Sequence, residues 1–261
     1  MTTESTDLTV ERVEFELPAI GGDDSPLEVI RVNLSGKPLK LNDLTKVTIP
    51  TGGRTEWDVE TSRGTTSHKD LIGVIIHNQT TRAFFQGAYG EGNDRPTCSS
   101  NDGITGSPGI DGIVACAACP MNAFESAENG KGKACAENEN LFLLRSGDPL
   151  PIVVRLSPGS LGSWERFIKH LTAEGTRRDR VIIAISLEKL KTKYVFSAAT
   201  FQAIGFLDDD QFHALRVYSE AFIQLTQQQE APVPFVHHYE DAPHPAEASV
   251  HPEDYDDLPL Q

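Results

Sequence analysis

The chain has 261 residues, enough to bury one large core or two small ones, and its 38% hydrophobic and 23% charged residues are ordinary for a folded, water-facing protein. No apolar run approaches the roughly 18 residues that a membrane-spanning helix needs, and the acidic start "MTTESTDLTVERVEFEL" has no apolar signal core, so the expected location is the cytoplasm, that of the host if the protein is phage-encoded. The net charge of −15 argues against a nucleic-acid partner only as an average. Residues 1–30 hold eight acids and one arginine, and 230–261 hold eight acids and no Lys or Arg, which leaves 22 acidic and 22 basic residues in 31–229. A neutral body lies between two acidic ends.

Residues 1–25 read as a flexible acidic segment. "LEVIRVNL" (27–34) alternates apolar and polar residues and predicts a half-buried strand. "LIGVIIHNQTTRAFF" (71–85) predicts two strands turning around Asn78 to Thr81. "LFLLR" and "LPIVVRL", separated by "SGDP", predict a hairpin. "LGSWERFIKHL" (161–171) places Leu161, Trp164, Phe167, Ile168 and Leu171 on one helical face. "VIIAISL" (181–187) and "YVFSAATF" (194–201) are further strands. A second helix follows, with Asp208 as its cap, Gln211 at the capping-box offset, and Phe212, Leu215, Tyr218, Phe222 and Leu225 along one face.

From 230 to 261 the sequence is rich in Pro, His and acid, and has too little apolar surface to offset the entropy of ordering, so a disordered tail is expected. Strands, a helix, then further strands give a mainly β protein with peripheral helices. The order matches an OB-fold-like barrel over 26–229, with a cysteine-bearing insertion at about 90–140. A β-sandwich with peripheral helices would give nearly the same pattern.

All four cysteines of the chain, Cys98, Cys116, Cys119 and Cys135, fall in that insertion at C-x17-C-x2-C-x15-C spacing. Zn²⁺ favours four tetrahedral ligands, and thiolates predominate in its structural sites. A C-x2-C pair lets two sulfurs reach one ion from a tight turn, and the outer pair closes the sphere. Gly103, Gly106, Gly109, Gly112, Gly130 and Gly132 permit the turns this requires. A redox C-x2-C or four unrelated thiols are the other readings. Four sulfurs leave no open position, so the ion would be structural. His68 and His77 are substitutes for one thiolate.

Binding a single strand requires cations for phosphates and aromatic faces for bases. The body offers Arg82 with Phe84, Phe85 and Tyr89, then Lys131 and Lys133, Arg145 and Arg155 on the hairpin, Arg177 and Arg178 in "RRDR", and Lys193, Tyr194 and Phe196. Nothing reads as a catalytic constellation. No G-x-x-x-x-G-K-[ST] loop occurs, and the densest acids cap a helix or form the tail, so no enzymatic activity is expected.

Two resemblances add to this reading. The end "EDYDDLPLQ" sets Asp254, Asp256 and Asp257 before Leu258, Pro259 and Leu260, and resembles the C-terminal tip of bacterial single-stranded DNA-binding proteins. In that family the tip docks on replication and repair partners and competes with DNA for the basic groove. Here the final Gln261 replaces the usual apolar terminus. Across residues 70–205, "GVIIHNQTTRAFF…CSSNDG…CAACPMNAF…GKGKAC…LFLLR…SPGSLGSWERFIKHL" resembles phage and mobile-element proteins of the same cysteine layout, associated with phage DNA replication. That resemblance implies zinc at the four cysteines and single-stranded DNA as the ligand, in replication or recombination. A zinc-braced protein-interaction module, or a polymerase accessory factor without DNA contact, is the other function that these features fit.

Overall fold

A computed structural model describes residues 14–19, 25–61, 64–86, 96–108, 112–128, 132–191 and 195–227. All lie within the compact unit 1–228, which is divided from 229–261. In chain order the described elements are α1 (Pro26–Asn33), β1 (Lys46–Thr48), β2 (Trp57–Thr61), β3 (Gly64–His68), β4 (Asp70–Phe84), β5 (Cys98–Ser100), β6 (Thr105–Pro108), β7 (Val114–Ala115), β8 (Ala136–Leu144), β9 (Ile152–Leu156), α2 (Pro158–Ala173), β10 (Val181–Lys191), β11 (Val195–Phe206) and α3 (Asp209–Gln227). One-turn 3₁₀ segments lie between them.

The spine is β4. One of its edges pairs antiparallel with β8 from Val74↔Leu144 to Ala83↔Ala136. Its other edge pairs with β10 from Asp70↔Ser186 to Gly73↔Ile183, and again at its far end with β5 from Arg82↔Ser100 to Phe84↔Cys98. Beyond β8 come β9 and then β1, the latter pair parallel, and β10 carries β11. From β5 the sheet continues outward through β6 and β7.

Strand periodicity sorts side chains onto two faces. One core holds Ile75, Leu141, Leu143, Val154, Ile183 and Ile185, covered by Trp164 and Leu171 of α2 and by Trp57 and Val59 of β2. The Trp57 indole N–H donates to the Ile185 carbonyl at 2.9 Å, so this large ring is buried with its polar atom satisfied. The opposite core holds Val74, Ile76, Phe142, Leu144, Val153 and Ile182 beneath Leu215, Tyr218 and Phe222 of α3.

The mainly β reading with peripheral helices holds, but the expected OB-like closure does not. The mixed sheet stays open, with β1 and β11 each paired on one side only among the described residues. Closure would require those two edges to meet. The length of β4, 15 residues, instead splays two different sets of partners along its edges.

Three local expectations are corrected. Residues 27–33 lie in α1, with Leu34 as its C-cap, and not in a strand. The Ser25 hydroxyl accepts from the Glu28 amide, Pro26 opens the helix, and Glu28 pairs with Arg31 at 2.7 Å. Leu27, Ile30 and Leu34 pack on the α3 core at helical spacing, which outweighs the alternation.

The turn placed at Asn78–Thr81 is the interior of β4. Asn78 and Thr80 both donate to the buried Glu139 carboxylate across the ladder, so polar residues that read as a turn satisfy a buried acid.

Residues 14–19, read as part of the flexible end, are docked. Phe15 is 5% exposed, and its carbonyl accepts from Gln211 at 2.9 Å.

The β8–β9 hairpin, α2, β10, β11 and α3 form where expected. The α3 cap is reciprocal: Asp208 Oδ1 accepts the Gln211 amide at 2.8 Å, and Gln211 Oε1 accepts the Asp208 amide at 3.1 Å.

Candidate metal centre

The end of β4 gathers the cysteine segment. Cys98 stands opposite Phe84 on one edge, and Cys135 immediately precedes Ala136, which stands opposite Ala83 on the other. Cys116 follows β7 directly, and its amide donates to the Ile104 carbonyl at 2.8 Å. A single 3₁₀ turn then sets Cys119 beside it, as C-x2-C spacing requires, with the Cys119 amide 3.3 Å from the Cys116 carbonyl. The Cys135 amide donates to Met121 at 2.8 Å, which returns the fourth thiol to the same place.

The framework that holds this arrangement is polar. Asp102 accepts from the Ile104 and Thr105 amides at 2.8 and 2.7 Å and from the Ser100 hydroxyl at 2.9 Å. Those donors favour the carboxylate and bring its pKa down to about 2. Arg82 is the central bracket. Its Nε donates to the Gly103 carbonyl at 3.0 Å, its Nη1 to Asn122 at 2.7 Å, and its Nη2 pairs with Glu137 at 2.7 Å. Asn122 in turn donates to the Cys116 carbonyl at 2.8 Å. The guanidinium fork therefore ties β4, the Asp102 turn, the C-x2-C turn and β8 together.

Cys98, Cys116, Cys119 and Cys135 line one cavity of about 30 Å³. A Cβ on Gly106 would sit 3.0 Å from Cys98 Sγ and 3.5 Å from Cys116 Sγ, so these two sulfurs converge on one point. Burial pushes the Cys98 thiol pKa up, and the neighbouring Cys116 and Cys119 thiols add to it. Burial likewise raises Cys135, with Arg82 opposing. Four thiolates crowded together need a cation to coexist, and the donor set is that of a thiolate-loving ion. The thiols line the cavity without a finished coordination sphere: among the described residues no three His, Cys, Asp or Glu side chains stand as a metal-holding group.

His68 and His77 lie away from this cavity. His68 Nε2 is 2.9 Å from the Thr66 hydroxyl on the β2–β3 ribbon, and His77 packs on Phe142 with ring centroids 5.2 Å apart.

The candidate nucleic-acid residues are dispersed. Arg82 is 14% exposed and fully committed to its bracket. Phe84 lines the thiol cavity, and Phe85 is half-buried. Arg145 is held by Asp148 at 2.6 Å, and Arg177 by Asp179 at 2.6 Å. Arg155 is exposed on β9, opposite Asn140, and Arg178 is half-buried beside β4. Phe196 is half-buried on β11, its ring facing Gly159 at the start of α2. Tyr89, Lys131, Lys193 and Tyr194 lie outside the described residues, as do Asp254, Asp256, Asp257, Leu258, Pro259 and Leu260.

Sequence reasoning passed over a surface of the extension itself. Phe124 is 78% exposed, with Lys133 Nζ 5.2 Å from its ring centroid. Ile104 and Ile113 are 71% and 80% exposed. The signal was there, since these large apolar residues stand in a glycine-rich stretch with no apolar period to bury them.

No protein-family model, no curated protein and no solved structure matches the chain. No described helix is long and apolar enough to cross a membrane.

Proposed function

We propose that this protein is a non-enzymatic single-stranded DNA-binding protein, acting in phage DNA replication or recombination, whose four cysteines hold one structural zinc ion. The observation that carries the reading is the exposed Phe124 ring with the Lys133 ammonium over it, presented on the segment that the four thiols gather. An aromatic face open to stacking beside a cation is what a sequence-tolerant single-strand surface uses. Zinc, when bound, would take the thiol protons' place and fix the relative positions of the four chain segments. Asp254, Asp256 and Asp257 would steer the tail to basic sites on replication or repair partners, with Leu258, Pro259 and Leu260 as a small apolar anchor.

The test is fluorescence anisotropy of a labelled oligonucleotide at low and moderate salt, with matched duplex as competitor. The full chain is run beside a version ending at Gln229. Preferential, salt-sensitive binding of the single strand is expected, kept or strengthened by truncation. Equal affinity for duplex, or a several-fold loss on truncation, would refute the reading.

A second reading, a zinc-braced protein-interaction module, is favoured by the same surface. Arg82, Arg145 and Arg177 are all paired with acids, and Ile104 and Ile113 are exposed and offer apolar contact. It predicts no DNA binding by either version of the chain.

A further inference from the structure

Between its pairing with β10 and its pairing with β5, one edge of β4 has no strand beside it from Val74 to Thr81 among the described residues. The one-turn segment Arg178–Arg180 packs against β4 there. Its two arginines and Arg177 just before it are not equivalent. Arg177 pairs with Asp179 at 2.6 Å, Arg180 pairs with Asp209, and their guanidinium carbons lie 5.3 and 5.4 Å from the centroid of the Phe212 ring. The Arg178 guanidinium makes no hydrogen bond or ion pair with any described residue. The two acids within electrostatic reach are already engaged, Asp179 by Arg177 and Glu139 by Asn78 and Thr80.

A half-buried guanidinium with five donors and no acceptor is costly to keep dry, and the Arg177 charge adds to that cost. His77, on the adjacent stretch of β4, senses that charge: burial first, and then Arg178, lowers its pKa. A planar fork of donors with no acid bound to it suits the oxygens of a phosphate.

We infer that Arg178, beside the strandless stretch of β4 and next to Arg177 and Arg180, forms a phosphate-binding subsite that takes a backbone phosphodiester of the bound strand. The identity of the anion rests on the single-strand reading; the existence of the subsite does not.

The His77 ring resonances in the full chain report the site directly, titrated with inorganic phosphate in one arm and a dT oligonucleotide in the other. Anisotropy of the same oligonucleotide is measured for the wild type, Arg178→Gln and Arg178→Lys, with thermal melting to confirm that each variant folds. Oligonucleotide-dependent shifts of His77 are expected. Arg178→Gln should bind about ten-fold more weakly, with the log–log salt slope reduced by about one, and Arg178→Lys should restore part of the loss. Shifts with inorganic phosphate alone, and no oligonucleotide binding, would keep the subsite and remove the DNA reading. Oligonucleotide binding without a His77 shift, and with Arg178→Gln equal to wild type, would overturn the subsite and leave the DNA reading standing. No shift in either arm overturns it as well.

Discussion

Replacing Arg82 by alanine removes three charge-assisted hydrogen bonds at once, to Gly103, Asn122 and Glu137. Each such bond is worth about 1.5–3 kcal/mol in isolation, and losing one partner of a buried pair costs about 3–5 kcal/mol. Glu137 is 31% exposed and recovers water, and the Gly103 carbonyl can relax, so the sum is discounted to about 3 kcal/mol. The loss falls on the extension and not on the sheet, because the bracket joins only the end of β4 to the segments bearing the thiols. Amide exchange therefore reads it best. The Cys116 and Cys135 amides, bonded to Ile104 and Met121, should lose about a hundred-fold in protection, while the amides of β10 change little. Arg82→Lys should rescue only part, since one ammonium cannot span three separated acceptors. Unchanged exchange at Cys116 and Cys135 in the alanine variant would refute the bracket, as would an equal loss throughout the β10–β11 pair.

Two further predictions concern the same extension. Gly106→Ala places a methyl 3.0 Å from Cys98 Sγ and 3.1 Å from Val114, so zinc affinity should fall roughly 10–100-fold in competition with a chromophoric chelator. The melting of the sheet, followed by the buried Trp57, should be unchanged; a variant that binds zinc as tightly as wild type would show that the cavity is not the metal position. Asp102, whose folded pKa is depressed to about 2, contributes stability that is present above the ordinary carboxylate range and is lost as pH falls toward 2. The Ile104 and Thr105 amide shifts should therefore titrate together with a midpoint near 2, and a midpoint near the usual 4 would contradict the hydrogen-bonded turn.

Local signals were legible where the physics is local. The α3 capping box, the α2 apolar face and the β8–β9 hairpin depend on neighbours a few residues apart, and they form as read. Leu27–Leu34 misled because its apolar residues fit both a two-residue and a helical period, and Ser25–Pro26 upstream decides for the helix. Asn78 to Thr80 misled because their partner, Glu139, is 59 residues from Thr80 along the chain. The convergence of the four thiols on one cavity was legible from spacing. The bracket that positions them was not, because Arg82 reaches acceptors 21 and 40 positions away and resembled a free cation. The inequality of Arg177, Arg178 and Arg180 was equally hidden, since it arises from which acids the fold brings near.

The extension inverts the usual arrangement of a folded segment. From 96 to 135 its buried described residues are Ser100, Gly106, Cys116 and Cys135, while Ile104, Ile113 and Phe124 face outward. Burial of apolar area cannot hold such a segment, because its large apolar side chains are the ones left in water. What points inward is sulfur and a guanidinium, with the hydrogen-bonded Asp102 turn on the surface. A metal bound by those sulfurs would replace the missing core, and it would leave the apolar and aromatic side chains available for a ligand. The two proposals are thereby linked. If the thiols bind no metal, the outward Phe124 and Lys133 lose their rigid support, and single-strand affinity should fall on chelation. The Arg178 subsite rests on β4, β10 and α3, away from the thiols, and should keep its response to inorganic phosphate.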